Sequence, residues 1–182
     1  MNYHLFQLIN AAAGTTDPVD DVFEWCAVWL LYVLGVLAAV PVLRGLLRER
    51  VAVVRVAAVL VLAFVVGQGV AAISPEVRPF QTHPVHQLIP HAAGPSLPSD
   101  HATAAFALAF AVGAFLSRRW GVGLAVLAVL LGFARVWTGV HYPADILAGA
   151  VIAGAAVGAV EAGGRAYDRW ADRRRSDAAT GH

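Results

Sequence analysis

With 182 residues, 59% of them hydrophobic and only 14% charged, and a mean hydropathy of +0.66, the chain is too apolar for a soluble domain, whose hydrophobic share is about half. The lone cysteine, Cys26, excludes an internal disulfide framework and argues against redox chemistry. The net charge of +1 hides an uneven composition, because all 13 cationic residues are arginines.

The opening stretch, residues 1–13, carries Tyr3, Leu5, Phe6, Leu8 and Ile9 but is too brief to span a bilayer, and Asp17-Pro18 with Asp20 and Asp21 closes it. It reads as an interfacial helix and lacks the basic start and small-residue cleavage site of a signal peptide. Five long apolar runs follow, at about 22–43, 51–73, 101–116, 120–137 and 142–161. A helix needs about 20 residues to cross about 30 Å of hydrocarbon, so four runs are comfortable and the third is short. The expected fold is an all-α integral membrane bundle of about five transmembrane helices plus the N-terminal interfacial helix. One membrane domain is expected over 1–165, followed by a charged cytoplasmic tail over 166–182, with no internal repeat.

Between the second and third runs, residues 74–99 hold six of the nine prolines, which rules out a regular helix through the loop. His83, His86 and His91 lie in it, and Phe80, Leu88, Ile89 and Leu97 favour a packed loop over a disordered one.

Arginine placement sets the expected orientation. Arg44, Arg48 and Arg50 separate the first two spans, Arg118 and Arg119 the third and fourth, and Arg165, Arg169, Arg173, Arg174 and Arg175 fill the tail. These mark the cytoplasmic side, to which Arg55 can snorkel from one turn inside the second span. Only Arg78 and Arg135 remain for the opposite face. The N-terminus is then outside, the C-terminus inside, and two clusters face the extracytoplasmic side: Pro98-Ser99-Asp100-His101, and 135–145 with Arg135, His141 and Asp145.

Ionisable groups at membrane depth are costly and read as a site. A neutral imidazole can attack phosphorus when its other ring nitrogen is held, and Asp145, four residues after His141, can hold it. Pro143 suits the first turn of a helix, placing His141 at the cap and Asp145 near the third helical position. His101 is available to protonate a leaving oxygen. Arg78 and Arg135 offer permanently charged forks for a transferred phosphoryl group, and Ser99 with the amides at the start of the third span completes an anion cradle. Singly, each residue has a plainer reading: Ser99 or Asp100 as an N-cap, Asp145 as a first-turn acid and Arg135 as a last-turn cation on the helix dipole, either histidine as a buried hydrogen-bonded side chain. Jointly, the only two arginines on that side each precede one of the two histidines in sequence.

These residues resemble the type-2 phosphatidic acid phosphatase superfamily, whose signature is a lysine followed after six residues by Arg-Pro, then Pro-Ser-Gly-His, then Ser-Arg with a His six and an Asp ten places after the Arg. Here the third part is Ala134-Arg135 with His141 and Asp145, the second is Pro98-Ser99-Asp100-His101, and the first is reduced to Arg78-Pro79. Ala71 stands at the lysine position. The stretch Leu88-Ile89-Pro90-His91-Ala92-Ala93-Gly94-Pro95-Ser96 leading into the second part is similar to the bacitracin-resistance type of undecaprenyl-diphosphatase, a subgroup that commonly has Asp where the wider family has Gly.

The resemblance implies His141 as phosphohistidine nucleophile, Asp145 as its partner, His101 as general acid, and Arg78, Ser99, Asp100 and Arg135 at the phosphate, with no metal or cofactor. It implies an enzyme that removes the terminal phosphate of undecaprenyl diphosphate at the outer face, regenerating the monophosphate carrier of cell-wall synthesis. Its partners would be an isoprenyl diphosphate lipid and the membrane, with no nucleic acid. Glu76 would either orient Arg78, donate a proton, or be a plain loop charge. Helix packing through Gly149 and Ala150 or 154–158 is expected. The alternatives are a phosphatase for phosphatidic acid, phosphatidylglycerol phosphate or another isoprenyl phosphate, a non-catalytic lipid or ion transporter, and a zinc site drawn from His83, His86, His91 or His101.

Overall fold

The computed structural model describes residues 2–180, with side chains to Ser176. Its helices are α1 (Asn2–Asn10), α2 (Asp17–Arg48), α3 (Arg50–Ile73), α4 (Pro79–Thr82), α5 (Asp100–Phe115), α6 (Arg118–Trp137) and α7 (Pro143–Thr180). The one extended pairing among the described residues is an isolated bridge between Val77 and Pro95. The protein is therefore an all-α bundle. Helices α2, α3, α6 and α7 are long and apolar enough to cross a membrane, whereas α5 has 16 residues.

The short helix sits at the centre. α5 packs against α2, α3, α6 and α7, and its Ala102, Ala105, Ala109 and Val112 belong to the main core. Protein therefore surrounds α5 along much of its length, and its shortfall in length is met by neighbours rather than by lipid. Outward faces of the other helices carry Trp25, Trp29, Tyr32, Phe64, Val126 and Val151, all exposed, a surface that suits hydrocarbon.

Small residues set how closely α5 and α7 approach. A Cβ on Gly149 would lie 2.8 Å from the Thr103 amide nitrogen, so only glycine permits this crossing. Within 154–158 the packing falls to Ala156, buried in the core with Ala153, and not to the two glycines, since nothing lies within 4 Å of where Cβ atoms on Gly154 and Gly158 would be. A stretch this rich in Gly and Ala carries only a weak apolar stripe to mark its inner face.

The helix ends are sorted by charge. Arg44, Arg48, Glu49, Leu116, Ser117 and Trp120 line one cavity, so the α2–α3 and α5–α6 connections share one end of the bundle. α7 continues as helix past Glu161 through the arginine-rich tail. At the other end α1 is packed inward, with Phe6 1% exposed against Val136 and Tyr142. It is tied by Asn10, whose Nδ2 donates to the carbonyls of Trp137 and His86.

Candidate active site

The N-termini of α5 and α7 and the C-terminus of α6 converge beneath the 83–99 loop. Thr138 Oγ1 donates to the Ala134 carbonyl at 2.8 Å where α6 ends. Gly139 then turns with φ of 80°, its missing side chain making room for the His86 carbonyl. Val140, His141 and Tyr142 follow, all buried. With Pro143 as the first helical residue, Tyr142 rather than His141 is the cap. The Tyr142 N–H donates to Asp145 Oδ2 at 2.8 Å, half of a capping box.

His141 Nδ1 lies 3.1 Å from the same Asp145 Oδ2. A carboxylate can only accept, so Nδ1 carries the hydrogen and Nε2 the lone pair. Arg78 Nη1 stands 2.8 Å from that Nε2 and 3.5 Å from the Val140 carbonyl oxygen. Burial pushes the His141 imidazole well below its ordinary range, and repulsion from Arg135 and Arg78 adds to it. The ring is thus kept neutral.

Asp145 receives a third donor that the sequence did not reveal. Ser96, fully buried, gives its hydroxyl to Asp145 Oδ2 at 2.5 Å. The Ser99 N–H donates to the Asp145 backbone carbonyl at 3.2 Å, joining the start of α5 to the first turn of α7. Nothing in the spacing of Ser96 marks this contact, which spans 49 residues of chain.

Ser99 caps α5, its Oγ accepting from the Ala102 amide at 3.4 Å. The Asp100 and His101 amides precede the first helical bond, Thr103 N–H to the Ser99 carbonyl, and as first-turn donors they need an acceptor from outside the helix. The Asp100 carboxylate is exposed and accepts from Gln68 Nε2 at 3.1 Å, so its amide is the part of this residue left for an anion at the helix start. His101 is half-buried and lies within electrostatic range of Arg135, His91 and Arg78.

Arg135 is 2% exposed, with Nη1 donating to the Ala27 carbonyl at 3.3 Å. Among the described residues, the buried side-chain atoms with no hydrogen-bond partner are Arg78 Nε, Arg135 Nε and Nη2, and Asp145 Oδ1. Unpaired buried donors are costly. Donors on two cations beside a neutral imidazole and a helix N-terminus suit a ligand with several anionic oxygens, which describes phosphate.

Glu76 does not orient Arg78. Its Oε1 accepts from Asn2 Nδ2 at 3.1 Å, and Asn2 Oδ1 accepts from the Ala144 amide, tying α1 to the head of α7. Burial raises the Glu76 carboxyl above its ordinary range, with Asp145 adding and Asn2 opposing. Ala71 occupies the last turn of α3, leaving Arg78 and Arg135 as the arginines of the site.

The loop histidines separate. His83 stacks on Tyr3 with ring centroids 3.9 Å apart, and the His86 amide donates to Asn10 Oδ1. His91 meets the His141 ring edge-on at 5.9 Å. Burial lowers the His91 imidazole, and the arginines Arg78 and Arg135 add to this against the pull of the Ala92 carbonyl. Among the described residues no group of three or more His, Cys, Asp or Glu is arranged to hold a metal ion.

Residues 52–162 match the PAP2 superfamily. The chain is 33% identical to undecaprenyl-diphosphatase BcrC of Bacillus subtilis, over 84% of this chain and 79% of that one. It is 37% identical to putative undecaprenyl-diphosphatase YbjG of Escherichia coli, over 82% of this chain and 75% of that one. Among solved structures, LpxE of Aquifex aeolicus shares the fold with a TM-score of 0.71 at 24% identity, over 87% of this chain and 93% of that one.

Proposed function

We propose, since the chain belongs to the PAP2 superfamily and is a membrane lipid phosphatase, that it hydrolyses undecaprenyl diphosphate to undecaprenyl phosphate at the extracytoplasmic face through a phosphohistidine on His141. The single observation that carries this reading is the His141 ring, held by Asp145 at Nδ1 and met by Arg78 at Nε2.

In this mechanism Arg78, Arg135, Ser99 and the Asp100 amide bind the terminal phosphate. His141 Nε2 attacks its phosphorus while the bond to the bridging oxygen breaks, and the electron pair leaves with the lipid monophosphate. His101 supplies the proton that the leaving oxygen needs. Asp145 stabilises the imidazolium character that develops as the N–P bond forms. Water then attacks the phosphohistidine, His101 takes its proton, and inorganic phosphate departs as His141 regains its lone pair.

An apolar groove between α3 and α5, lined by Leu60, Ala63, Phe64 and Ala107, begins at Asp100 and suits an isoprenyl chain reaching down from the phosphates into the bilayer. The substrate assignment draws on the names of the relatives from Bacillus subtilis and Escherichia coli. The orientation draws on the arginines gathered at the opposite end of the bundle.

The test is phosphate release by the purified protein in detergent with excess chelator, undecaprenyl diphosphate and phosphatidic acid being supplied side by side. Chelator-resistant release that prefers the diphosphate is expected. Preference for phosphatidic acid would change the substrate, and no release from either lipid would favour the transporter.

A further inference from the structure

His91 stands beside the nucleophile and has no part in the mechanism above. Its ring stands nearly perpendicular to that of His141 at a centroid distance of 5.9 Å, and it lies within electrostatic range of Arg78, Arg135 and Asp100. The His83 ring stacks on Tyr3, and the His86 ring packs against Gly14 while its backbone is tied to Asn10. The loop is braced on both sides of His91. Before it, the Leu88 amide donates to the Thr138 carbonyl at 3.2 Å and Ile89 is buried. After it, the Gly94 amide donates to Gln81 Oε1 at 2.7 Å and the Ser96 amide to the Glu76 carbonyl at 2.8 Å. His91 Nδ1 lies 3.1 Å from the Ala92 carbonyl oxygen and so carries the hydrogen, which leaves Nε2 for a ligand.

We infer that His91 contacts the inner phosphate of a lipid diphosphate and is a specificity-determining residue favouring diphosphates over monophosphates. This rests on the phosphatase reading above. In an in-line attack by His141 Nε2 the inner phosphate lies one bridging oxygen beyond the terminal phosphorus, and rotation about that bridge turns its oxygens toward the His91 ring, which shares the surroundings of Arg78, Arg135 and Asp100. As the bridging P–O bond breaks, the inner phosphate receives the electron pair, and a donor on its oxygens stabilises that charge. Burial first, and then Arg78 and Arg135, hold a proton off His91, and a bound diphosphate neutralises the two cations and sets its own negative charge beside the ring. The bound ring then takes a proton at Nε2 and donates it in a hydrogen bond to the inner phosphate. A monoester has no inner phosphate, so the contact has nothing to meet.

The experiment compares the full-length wild type with His91→Gln in detergent. Pyrophosphate and orthophosphate are each titrated by calorimetry, and kcat/KM is measured on undecaprenyl diphosphate. Pyrophosphate affinity and kcat/KM are expected to fall together by about tenfold, the effect of losing one charge-assisted hydrogen bond. Orthophosphate affinity should be unchanged, which also reports that the variant is folded. Equal weakening of both anions, or of neither, would overturn the role of His91. A wild type that prefers pyrophosphate in a His91-dependent way yet never hydrolyses the lipid would overturn the proposed activity and leave His91 as a diphosphate reader.

Discussion

Arg78 Nη1 rests 2.8 Å from His141 Nε2, while Asp145 Oδ2 lies 3.1 Å from Nδ1 of the same ring, so the imidazole is held between a guanidinium and a carboxylate. A cation at the lone pair and burial both disfavour a second proton, and the His141 imidazole lies well below its ordinary 6.5. The nucleophile must be neutral to attack. The acid-side limb of the kcat/KM profile, which belongs to His141, should therefore fall only well below pH 6.5, and an acid-side enzyme limb at or above that value would contradict the assignment. The same shift sets the sign for stability. Between the folded and unfolded pKa values the unfolded chain binds a proton that the folded site refuses, so this contribution is intact above 6.5 and is lost as pH drops.

Ser96 holds Asp145 in the orientation that His141 needs. Ser96→Ala should lower kcat by about tenfold, equivalent to about 1.4 kcal/mol and at the low end of what one hydrogen bond to a charged group contributes, and leave KM near the wild-type value. With one donor fewer, the carboxylate attracts the Nδ1 proton more strongly, so the acid limb of kcat/KM should move to higher pH. Ser96→Thr, which keeps the hydroxyl, should recover part of the loss. A variant with an unmoved pH profile would show that Ser96 only packs.

Arg135 is buried with two unpaired nitrogens, a cost to the folded state that function retains. Replacing it with methionine should raise the melting temperature in detergent by about 2–4 °C, the shift for about 1 kcal/mol at this size. Phosphate release should fall by about 10²–10³-fold, as when a transition-state donor is removed. Loss of stability together with activity would mean that the guanidinium is structural.

Native Cys26 is buried, so introduced thiols can be read against a quiet background. Ala93→Cys in the exposed part of the loop should react with a membrane-impermeant maleimide in intact cells. Arg175→Cys, in the far extension of α7, should react only after permeabilisation. The opposite pattern would invert the orientation and place the site inside.

The readable parts of this site are local. His141 and Asp145 are four residues apart at a helix start marked by Pro143, so spacing alone brings them together. The five apolar runs likewise announce their helices, because a bilayer crossing imposes its own length. What joins distant segments was not legible. Ser96 with Asp145, Asn2 with Glu76 and Ala144, and Asn10 with His86 and Trp137 are short polar side chains in loops and a first helix. Such residues are common in turns, and only the tertiary fold selects their partners. Gly154 and Gly158 misled for a related reason, since small residues mark a close crossing only where a neighbour exists to approach.

A covalent phosphate on His141 is the intermediate on which the proposed mechanism turns. Wild-type protein would be mixed briefly with undecaprenyl diphosphate labelled on its terminal phosphate, quenched in base to preserve a phosphoramidate, and digested for peptide mapping, with His141→Ala treated in parallel. The expected result is an acid-labile label on the peptide containing His141 and neither label nor turnover in the variant, which should keep the wild-type melting temperature. Turnover by the variant, or rapid wild-type turnover with no trapped label, would contradict the mechanism.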